Sequence, residues 1–236
     1  MKDIKRKERG EGKKAIILLS GGLDSAVTLY YAMREGYQCY CLAFDYGQRH
    51  AVEMAFARKI ASKAGVPLKI VSLRLPWKGS SLVDDRMPLP VDRTLRAISK
   101  GIPSTYVPAR NKMFISIAAS YAEAIGAYAI FIGAHFQDSS GYPDCRIEFL
   151  KAKDKAIRLG TKRGLENKLR LEFPLIRKNK SQIIRLGAKL GVPFGYTWSC
   201  YSGGRYPCGR CDSCILRAKG FDEAGLKDPL YAKTRG

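Results

Sequence analysis

Short apolar runs alternate with amphipathic stretches along most of the chain. Five apolar residues at 15–19 stand between lysines and glycines, which is typical of a strand buried on both faces of a parallel sheet. From Ser25 onwards the apolar positions follow helical spacing. Further strands are predicted at 37–44, 68–73, 128–133 and 171–174, and further helices at 50–64, 113–125, 146–160 and 181–190. This order predicts an α/β fold with a parallel, doubly wound sheet and right-handed crossovers.

Two segments depart from this rhythm. Residues 76–103 contain four prolines and a mixed polar composition, which predicts either a long loop over the mouth of the sheet or a disordered lid. The chain after residue 195 is predicted to be poor in regular structure, whereas Ser181 is expected to begin the helix before it. We therefore divide the chain into a basic flexible tail (1–13), an α/β domain (14–195) and a C-terminal metal-binding subregion (196–236).

The composition sets limits on function. The chain has 236 residues, 46% of them hydrophobic, and a formal net charge of +21. It can build a full core, while no apolar run is long enough to cross a membrane and no apolar stretch follows the N-terminal charges. We therefore expect a cytoplasmic protein with no membrane partner. The charge excess leaves contact with RNA open as a further possibility.

A glycine pair follows the first strand directly. Ser20, Gly21 and Gly22 precede a predicted helix, so backbone N–H groups and the helix dipole can face an anion such as phosphate. An ordinary strand-to-helix turn is the alternative for a bare glycine pair. No Gly-Lys-Ser/Thr follows, which excludes a Walker loop. With Asp24 and Ser25 the string resembles the pyrophosphate loop of the N-type ATP pyrophosphatases.

Polar residues also follow the other predicted strands. The carboxyl ends of parallel strands share one edge of the sheet, so 20–24, 45–48, 110–111 and 133–144 are expected to form one site. In the last segment Asp138 and Asp144 can accept hydrogen bonds from a base and Tyr142 can stack on it, although a simple turn explains any one of them. Four basic residues can bind phosphates or a carboxylate, although each of them taken alone is more typical of a protein surface. They are Arg110, Lys112, Lys178 and Lys180.

Four of the seven cysteines lie within fifteen residues, at Cys200, Cys208, Cys211 and Cys214. Four thiolates at this spacing can surround Zn²⁺ in a closed tetrahedron. A redox pair explains only two of them, and an iron–sulfur cluster uses the same number of ligands. We favour structural zinc that orders the C-terminal subregion, far from the glycine loop.

Five strings together resemble the 7-cyano-7-deazaguanine synthase family, from about residue 14 to residue 228. They are SGGLDS (20–25), FDYGQRH (44–50), VPARN (107–111), SGYPDCR (140–146) and WSCY with CGRCDSC (198–214). The resemblance implies ATP, Mg²⁺, one structural zinc and a homodimer. It also implies 7-carboxy-7-deazaguanine and ammonia as substrates, and a nitrile product used in building queuosine or archaeosine.

The resemblance also assigns roles to residues. Asp24 would be catalytic through its handling of Mg²⁺ and pyrophosphate, and Arg110 through charge stabilisation. Asp138, Tyr142 and Asp144 would hold the deazaguanine. The predicted ATP-binding residues are Leu18, Leu19, Ser20, Gly21, Gly22, Leu23, Asp24, Ser25, Ala26, Val27 and Thr28. The main alternative is an enzyme that uses the same loop to modify a tRNA base, for instance by thiolation. A zinc-stabilised RNA-binding module would leave the loop unexplained.

Overall fold

The computed structural model describes residues 12–49, 52–135 and 141–232. Most of the predicted basic tail, His50 and the predicted substrate-binding residue Asp138 lie outside these ranges. The five strands of the sheet are all parallel, in the order β3-β2-β1-β4-β5. They are β1 (Lys14–Leu18), β2 (Gln38–Asp45), β3 (Leu68–Ser72), β4 (Ala129–Phe131) and β5 (Arg170–Glu172).

Helices cover both faces of this sheet. Those described are α1 (Leu23–Arg34), α2 (Val52–Ala64), α3 (Leu95–Ile98), α4 (Arg110–Ile125), α5 (Ile147–Gly160), α6 (Lys162–Leu165), α7 (Lys180–Lys189), α8 (Asp212–Ala224) and α9 (Pro229–Ala232). Within the described ranges no helix is both long and apolar enough to span a bilayer.

Alternate residues of β1 face opposite layers, because side chains alternate across a strand. Ile17 joins a buried cluster with residues of α1, α2 and α7, including Val27 and Ile184. Its neighbour Ile16 joins a second cluster with residues of α4 and α5, including Ile115. The central strand is therefore covered on both faces, which confirms the predicted doubly wound architecture.

Helix α7 begins one residue before the predicted start. Asn179, not Ser181, is its N-cap, since the Asn179 side chain accepts a hydrogen bond from Gln182 N at 2.9 Å. The Gln182 side chain accepts one in return from Asn179 N at 3.0 Å, completing a capping box. The hydroxyl of Ser181 instead donates to Asn179 Oδ1 at 3.0 Å. This shift places Lys180 in the first turn of the helix.

The prediction that the C-terminal subregion is poor in regular structure is wrong, because α8 spans thirteen residues. Its buried Arg217 forms an ion pair with Asp228, with an Nε–Oδ2 distance of 2.6 Å. Phe221 packs edge-on against Phe194, on the other side of the predicted boundary at 195/196. The division into domains stays a prediction, but α8 shares the main core. An arginine supplies much of its anchoring, so an apolar periodicity could not reveal it.

Residues 76–103, which we call the strap, are irregular apart from α3. The strap reaches the carboxyl edge of the sheet at Leu82, which is buried and whose carbonyl accepts a hydrogen bond from Arg49 N at 2.9 Å. Ser80 and Ser81 are also buried. These contacts agree with the predicted loop at the mouth of the sheet.

Candidate active site and metal centre

The turn between β1 and α1 requires glycine at position 21. Gly21 has a φ of +88°, and a Cβ there would lie 2.3 Å from the carbonyl oxygen of Glu53 and 2.9 Å from the nitrogen of Ala57. Both the backbone conformation and the space against α2 therefore exclude a side chain. The glycine pair in the sequence indicates a missing Cβ, and the packed structure shows that α2 occupies the space where the Cβ would lie.

Two serines hold the same turn in shape. The Ser25 hydroxyl accepts a hydrogen bond from Ser20 N at 3.2 Å and donates one to the Gly22 carbonyl at 2.9 Å. The Ser20 hydroxyl accepts one from Gly22 N at 3.2 Å. In the part of the chain that the structure describes, no side chain caps α1 at Gly22. The positive end of the helix dipole is thus available to an anion.

Asp24 lies in the first turn of α1 and meets two residues from distant parts of the chain. Lys180 Nζ lies 2.9 and 2.8 Å from its two carboxylate oxygens. His135 Nε2 lies 3.6 Å from Asp24 Oδ2 and 2.9 Å from Lys180 Nζ. Burial opposes the charged carboxylate, but Lys180 and then His135 outweigh it and hold the pKa of Asp24 well below its usual range. Asp24 is therefore an anion at neutral pH, ready to face a cation.

Lys180 and His135 are the functional candidates that sequence reasoning undervalued. A lone lysine in the sequence is more typical of a surface, yet the Lys180 side chain is only 13% exposed, and His135 is buried. The available signal was the position of each residue: His135 follows a central strand, and Lys180 begins a helix. That they meet Asp24 depends on the sheet order, which places β4 beside β1.

Arg110 enters the site from the start of α4. Its Nη1 donates a hydrogen bond to the Tyr46 hydroxyl at 2.9 Å, and its guanidinium lies 5.8 Å from the centre of that ring. Burial raises the pKa of the Tyr46 phenol, which keeps it neutral. Tyr46 follows β2, so the contact joins two of the strand-end segments that were predicted to form one site.

Tyr142 and Asp144 have different surroundings. Tyr142 lines the cleft, and its hydroxyl lies 2.9 Å from Thr105 Oγ1. The buried Asp144 carboxylate accepts a hydrogen bond from Asn111 N at 2.8 Å and so caps the start of α4. Burial raises the pKa of Asp144, against the opposing effects of this hydrogen bond and of Arg110. Their predicted contact with a base stays a prediction, and Asp144 has a structural role in addition.

These groups surround a cleft of about 240 Å³ at the carboxyl edge of the sheet. Of the predicted ATP-binding stretch, the residues that line it are Leu18, Leu19, Ser20, Gly22, Asp24 and Ser25. The other five residues of that stretch do not line the cleft: Gly21, Leu23, Ala26, Val27 and Thr28 are buried. The Thr28 hydroxyl donates a hydrogen bond to the Asp24 carbonyl at 2.8 Å. The turn therefore contributes more residues to the lining of the cleft than the following helix does.

The four clustered cysteines converge. The sulfur atoms of Cys200, Cys208, Cys211 and Cys214 all lie within 4.8 Å of one another, and those of Cys208 and Cys214 are 4.0 Å apart. Zn–S bonds of about 2.3 Å place the sulfurs of a tetrahedral site roughly 3.8 Å apart. The donor set therefore fits a closed four-thiolate metal site. Two backbone N–H groups, of Arg210 and Cys211, point at Cys208 Sγ at 3.4 and 3.3 Å.

The expectation that this cluster lies far from the glycine loop is wrong. Trp198 N donates a hydrogen bond to the Gly21 carbonyl at 2.9 Å, two residues before the first cysteine. Tyr201, one residue after it, lines the cleft. Sequence separation of about 180 residues concealed this contact. The C-terminal subregion is consequently part of the wall of the candidate active site.

Comparisons with known proteins agree with this picture. The family model described as "Queuosine biosynthesis protein QueC" matches residues 14–225. A 7-cyano-7-deazaguanine synthase from Thermoplasma acidophilum is 53% identical over 220 residues, which cover 93% of this chain and 92% of that protein. One from Nostoc sp. is 51% identical over 228 residues, covering 94% of this chain and 99% of that protein.

Proposed function

Because this chain belongs to the family of queuosine biosynthesis protein QueC, we propose that it converts 7-carboxy-7-deazaguanine and ammonia to 7-cyano-7-deazaguanine with ATP. The observation that carries this reaction is the joining of an anion-accepting helix start, at Gly22, to the cleft that Arg110 and Tyr142 line. Relatives about half identical in sequence carry the same activity in their names. Thiolation of tRNA is not favoured.

The chemistry requires activation twice. A carboxylate does not react with ammonia, because oxide is a poor leaving group. Attack of the substrate carboxylate on the α-phosphorus of ATP expels pyrophosphate and forms an acyl adenylate. Ammonia then displaces AMP to give the amide. The amide oxygen attacks a second ATP in the same way, and loss of AMP and protons leaves the nitrile.

The residues of the cleft divide this work. The backbone at Ser20–Gly22 and the start of α1 bind the pyrophosphate portion of ATP. Asp24 would hold Mg²⁺, which when bound would neutralise charge that develops on the phosphates. Lys180 would exchange the Asp24 carboxylate for a phosphate oxygen as ATP enters. Arg110 stabilises negative charge near the reacting carboxyl group. Tyr142 packs against the planar deazapurine.

Further features belong to the same proposal. The cysteine cluster holds one zinc ion as a structural centre, since four thiolates leave no position for substrate. The protein acts as a homodimer, as the family resemblance implies, and light scattering of the purified protein tests this. RNA contact is not needed for the reaction on a free base.

One incubation tests the function directly. The protein receives ATP, ammonium, Mg²⁺ and 7-carboxy-7-deazaguanine, and the product is identified by mass while AMP, ADP and pyrophosphate are quantified. We expect the nitrile, with about two AMP and two pyrophosphate formed for each molecule, as the two activations require. The Asp24→Asn variant serves as the inactive control. Release of ADP and phosphate, or no dependence on the deazapurine, would refute the proposal.

A further inference from the structure

The cysteine cluster contacts both walls of the cleft, on one side through the glycine loop and on the other through the strap. We propose that metal binding at this cluster positions both walls, with Arg210 and Asp92 acting as positioning residues for the reaction. The inference about catalysis rests on the proposed function, whereas the mechanical connection does not. According to this proposal, a metal centre that takes no part in bond making still has a defined effect on substrate affinity.

The first connection is short. The Trp198 N–H group binds the Gly21 carbonyl at 2.9 Å, and the Trp198 indole Nε1 donates to the Cys200 carbonyl at 2.8 Å. Trp198 and Cys200 are both buried. A metal that fixes the Cys200 sulfur therefore also fixes the segment that contacts the glycine loop and supplies Tyr201 to the cleft.

The second connection joins the cluster to the strap. Val91 and Cys211 form an isolated antiparallel bridge, and Asp92 N donates to the Arg210 carbonyl at 2.9 Å. Arg210 Nε lies 3.0 Å from both carboxylate oxygens of Asp92. Next to this pair, Arg93 Nη1 donates to Asp212 Oδ2 at 3.0 Å. Arg210 lies between Cys208 and Cys211, in the segment 208–211 that we call the knuckle, so the strap is attached to the metal-binding backbone itself.

The strap carries this attachment back to the cleft. Besides its hydrogen bond to the Leu82 carbonyl, Arg49 binds Asp85 through Nε at 2.6 Å and the Met87 carbonyl through Nη1 at 3.0 Å. Ser81 N donates to the Ser104 carbonyl at 2.8 Å. The strap is thus held at the cleft by one set of contacts and at the knuckle by another.

The chain between Cys200 and Cys211 has no helix and no regular strand. Its N–H groups at Cys208, Arg210 and Cys211 instead point at cysteine sulfurs. Such a segment is ordered chiefly by its metal, so metal binding counts as folding free energy there. Loss of the metal should therefore release Arg210 from Asp92 and Tyr201 from the cleft together.

The test separates the Arg210–Asp92 ion pair, which we call the clasp, from metal binding. Arg210→Ala removes an exposed guanidinium, and Asp92→Asn removes the charge at a φ of +55° that asparagine tolerates. Arg205→Ala is the matched control, since this exposed arginine lies over Tyr206 in the same loop. Each protein is measured for zinc content, for hydrogen exchange of residues 78–98, and for kcat and KM.

We expect Arg210→Ala and Asp92→Asn to keep one zinc per chain while exchange in the strap accelerates roughly two- to fivefold, the range of an exposed ion pair. The KM for the deazapurine should rise by a similar factor with kcat nearly unchanged. Arg205→Ala should match the wild type. The double variant should differ little from either single variant in strap exchange and KM, because both substitutions remove the same ion pair.

A metal-removal experiment completes the design. The full-length protein treated with a zinc chelator should show faster exchange both in the strap and at residues 20–25. Unchanged strap exchange in Arg210→Ala, or equal effects in Arg205→Ala, would overturn the proposal. If the strap responds but no nitrile forms with the wild type, the clasp stands and the proposed function fails.

Discussion

The Nζ atom of Lys180 lies within 2.9 Å of both carboxylate oxygens of Asp24, although the two residues are 156 positions apart in the chain. The side chains are 13% and 26% exposed, so their pairing is only partly screened by water. This contact links the start of α7 to the start of α1. Under the proposed function, Lys180 is the cation that a metal–nucleotide complex would replace at Asp24.

Lys180→Met should lower both activity and stability. The remaining partly buried carboxylate would lose its cation, at a cost of roughly 2 kcal/mol, between the values for exposed and buried pairs. Urea unfolding checks the stability and ATP turnover checks the activity. Lys178→Met, two residues earlier, is the control and should leave the unfolding midpoint nearly unchanged. Equal effects of the two substitutions would contradict the assigned pairing.

The same pair predicts a pH dependence. The folded-state pKa of Asp24 is held below its ordinary value of 3.8, so the stabilisation is present above that value and is lost as the pH falls through the lower folded pKa. The stability difference between wild type and Lys180→Met should therefore be full near neutrality and shrink in acid. Unfolding curves between pH 7 and pH 3 measure it, and a difference that grows in acid would count against the ion pair.

Asp24→Asn should abolish turnover with a smaller effect on the fold, because the neutral amide cannot take the Mg²⁺-binding role proposed for the carboxylate but occupies the same space. Circular dichroism and pyrophosphate exchange into ATP measure the two effects. Some loss of stability is expected, since Lys180 loses its counter-charge. Substantial remaining adenylation would show that Mg²⁺ is held elsewhere.

Gly21→Ala should damage the loop more than strain alone explains. A Cβ at Gly21 meets α2 backbone at 2.3 Å, whereas Gly65 has a similarly positive φ of +67° with nothing within 4 Å. Gly65→Ala should lower the free energy of unfolding by about 1 kcal/mol because of its backbone conformation. Gly21→Ala should lower it clearly more and should abolish ATP binding. Thermal melts and nucleotide titration compare them. Similar melting temperatures would mean that α2 moves aside easily.

Substitutions at Asp144 and Tyr142 should separate structure from binding. Removing the Asp144 carboxylate deprives the start of α4 of its cap and should cost about 1 kcal/mol or more. Tyr142→Phe keeps the ring proposed to pack on the deazapurine and removes only the hydroxyl that lies 2.9 Å from Thr105 Oγ1, so KM for the deazapurine should stay near the wild-type value, whereas Tyr142→Leu removes the ring and should raise that KM. A stable Asp144→Ala protein with normal KM would remove Asp144 from both roles.

Metal analysis should find about one zinc per chain, as a closed four-thiolate site requires. Cys211→Ser should lower zinc content and melting temperature together. ATP affinity should also fall, because Trp198 connects this region to Gly21. Iron with a visible charge-transfer band would instead indicate a cluster and withdraw the zinc assignment.

The sequence alone was sufficient for the features that depend on local pattern. The apolar runs, their spacing and the glycine turn predicted the doubly wound sheet and the sheet edge that carries the site, and the five strings identified the family. Cysteine spacing predicted the convergence of four sulfurs. Each run, turn, string or cysteine spacing is itself a short local pattern, and over such lengths backbone geometry fixes which side chains share a face.

Only the tertiary structure decided the contacts between distant segments. Lys180 and His135 reach Asp24, and Trp198 reaches Gly21, because of strand order and helix packing that no local periodicity encodes. Helix α8 was missed for a related reason, since a buried Arg217 anchors it and a charged residue contributes nothing to an apolar pattern. Burial and pairing are properties of the packed chain, and they turned an apparent surface lysine into the partner of the central carboxylate.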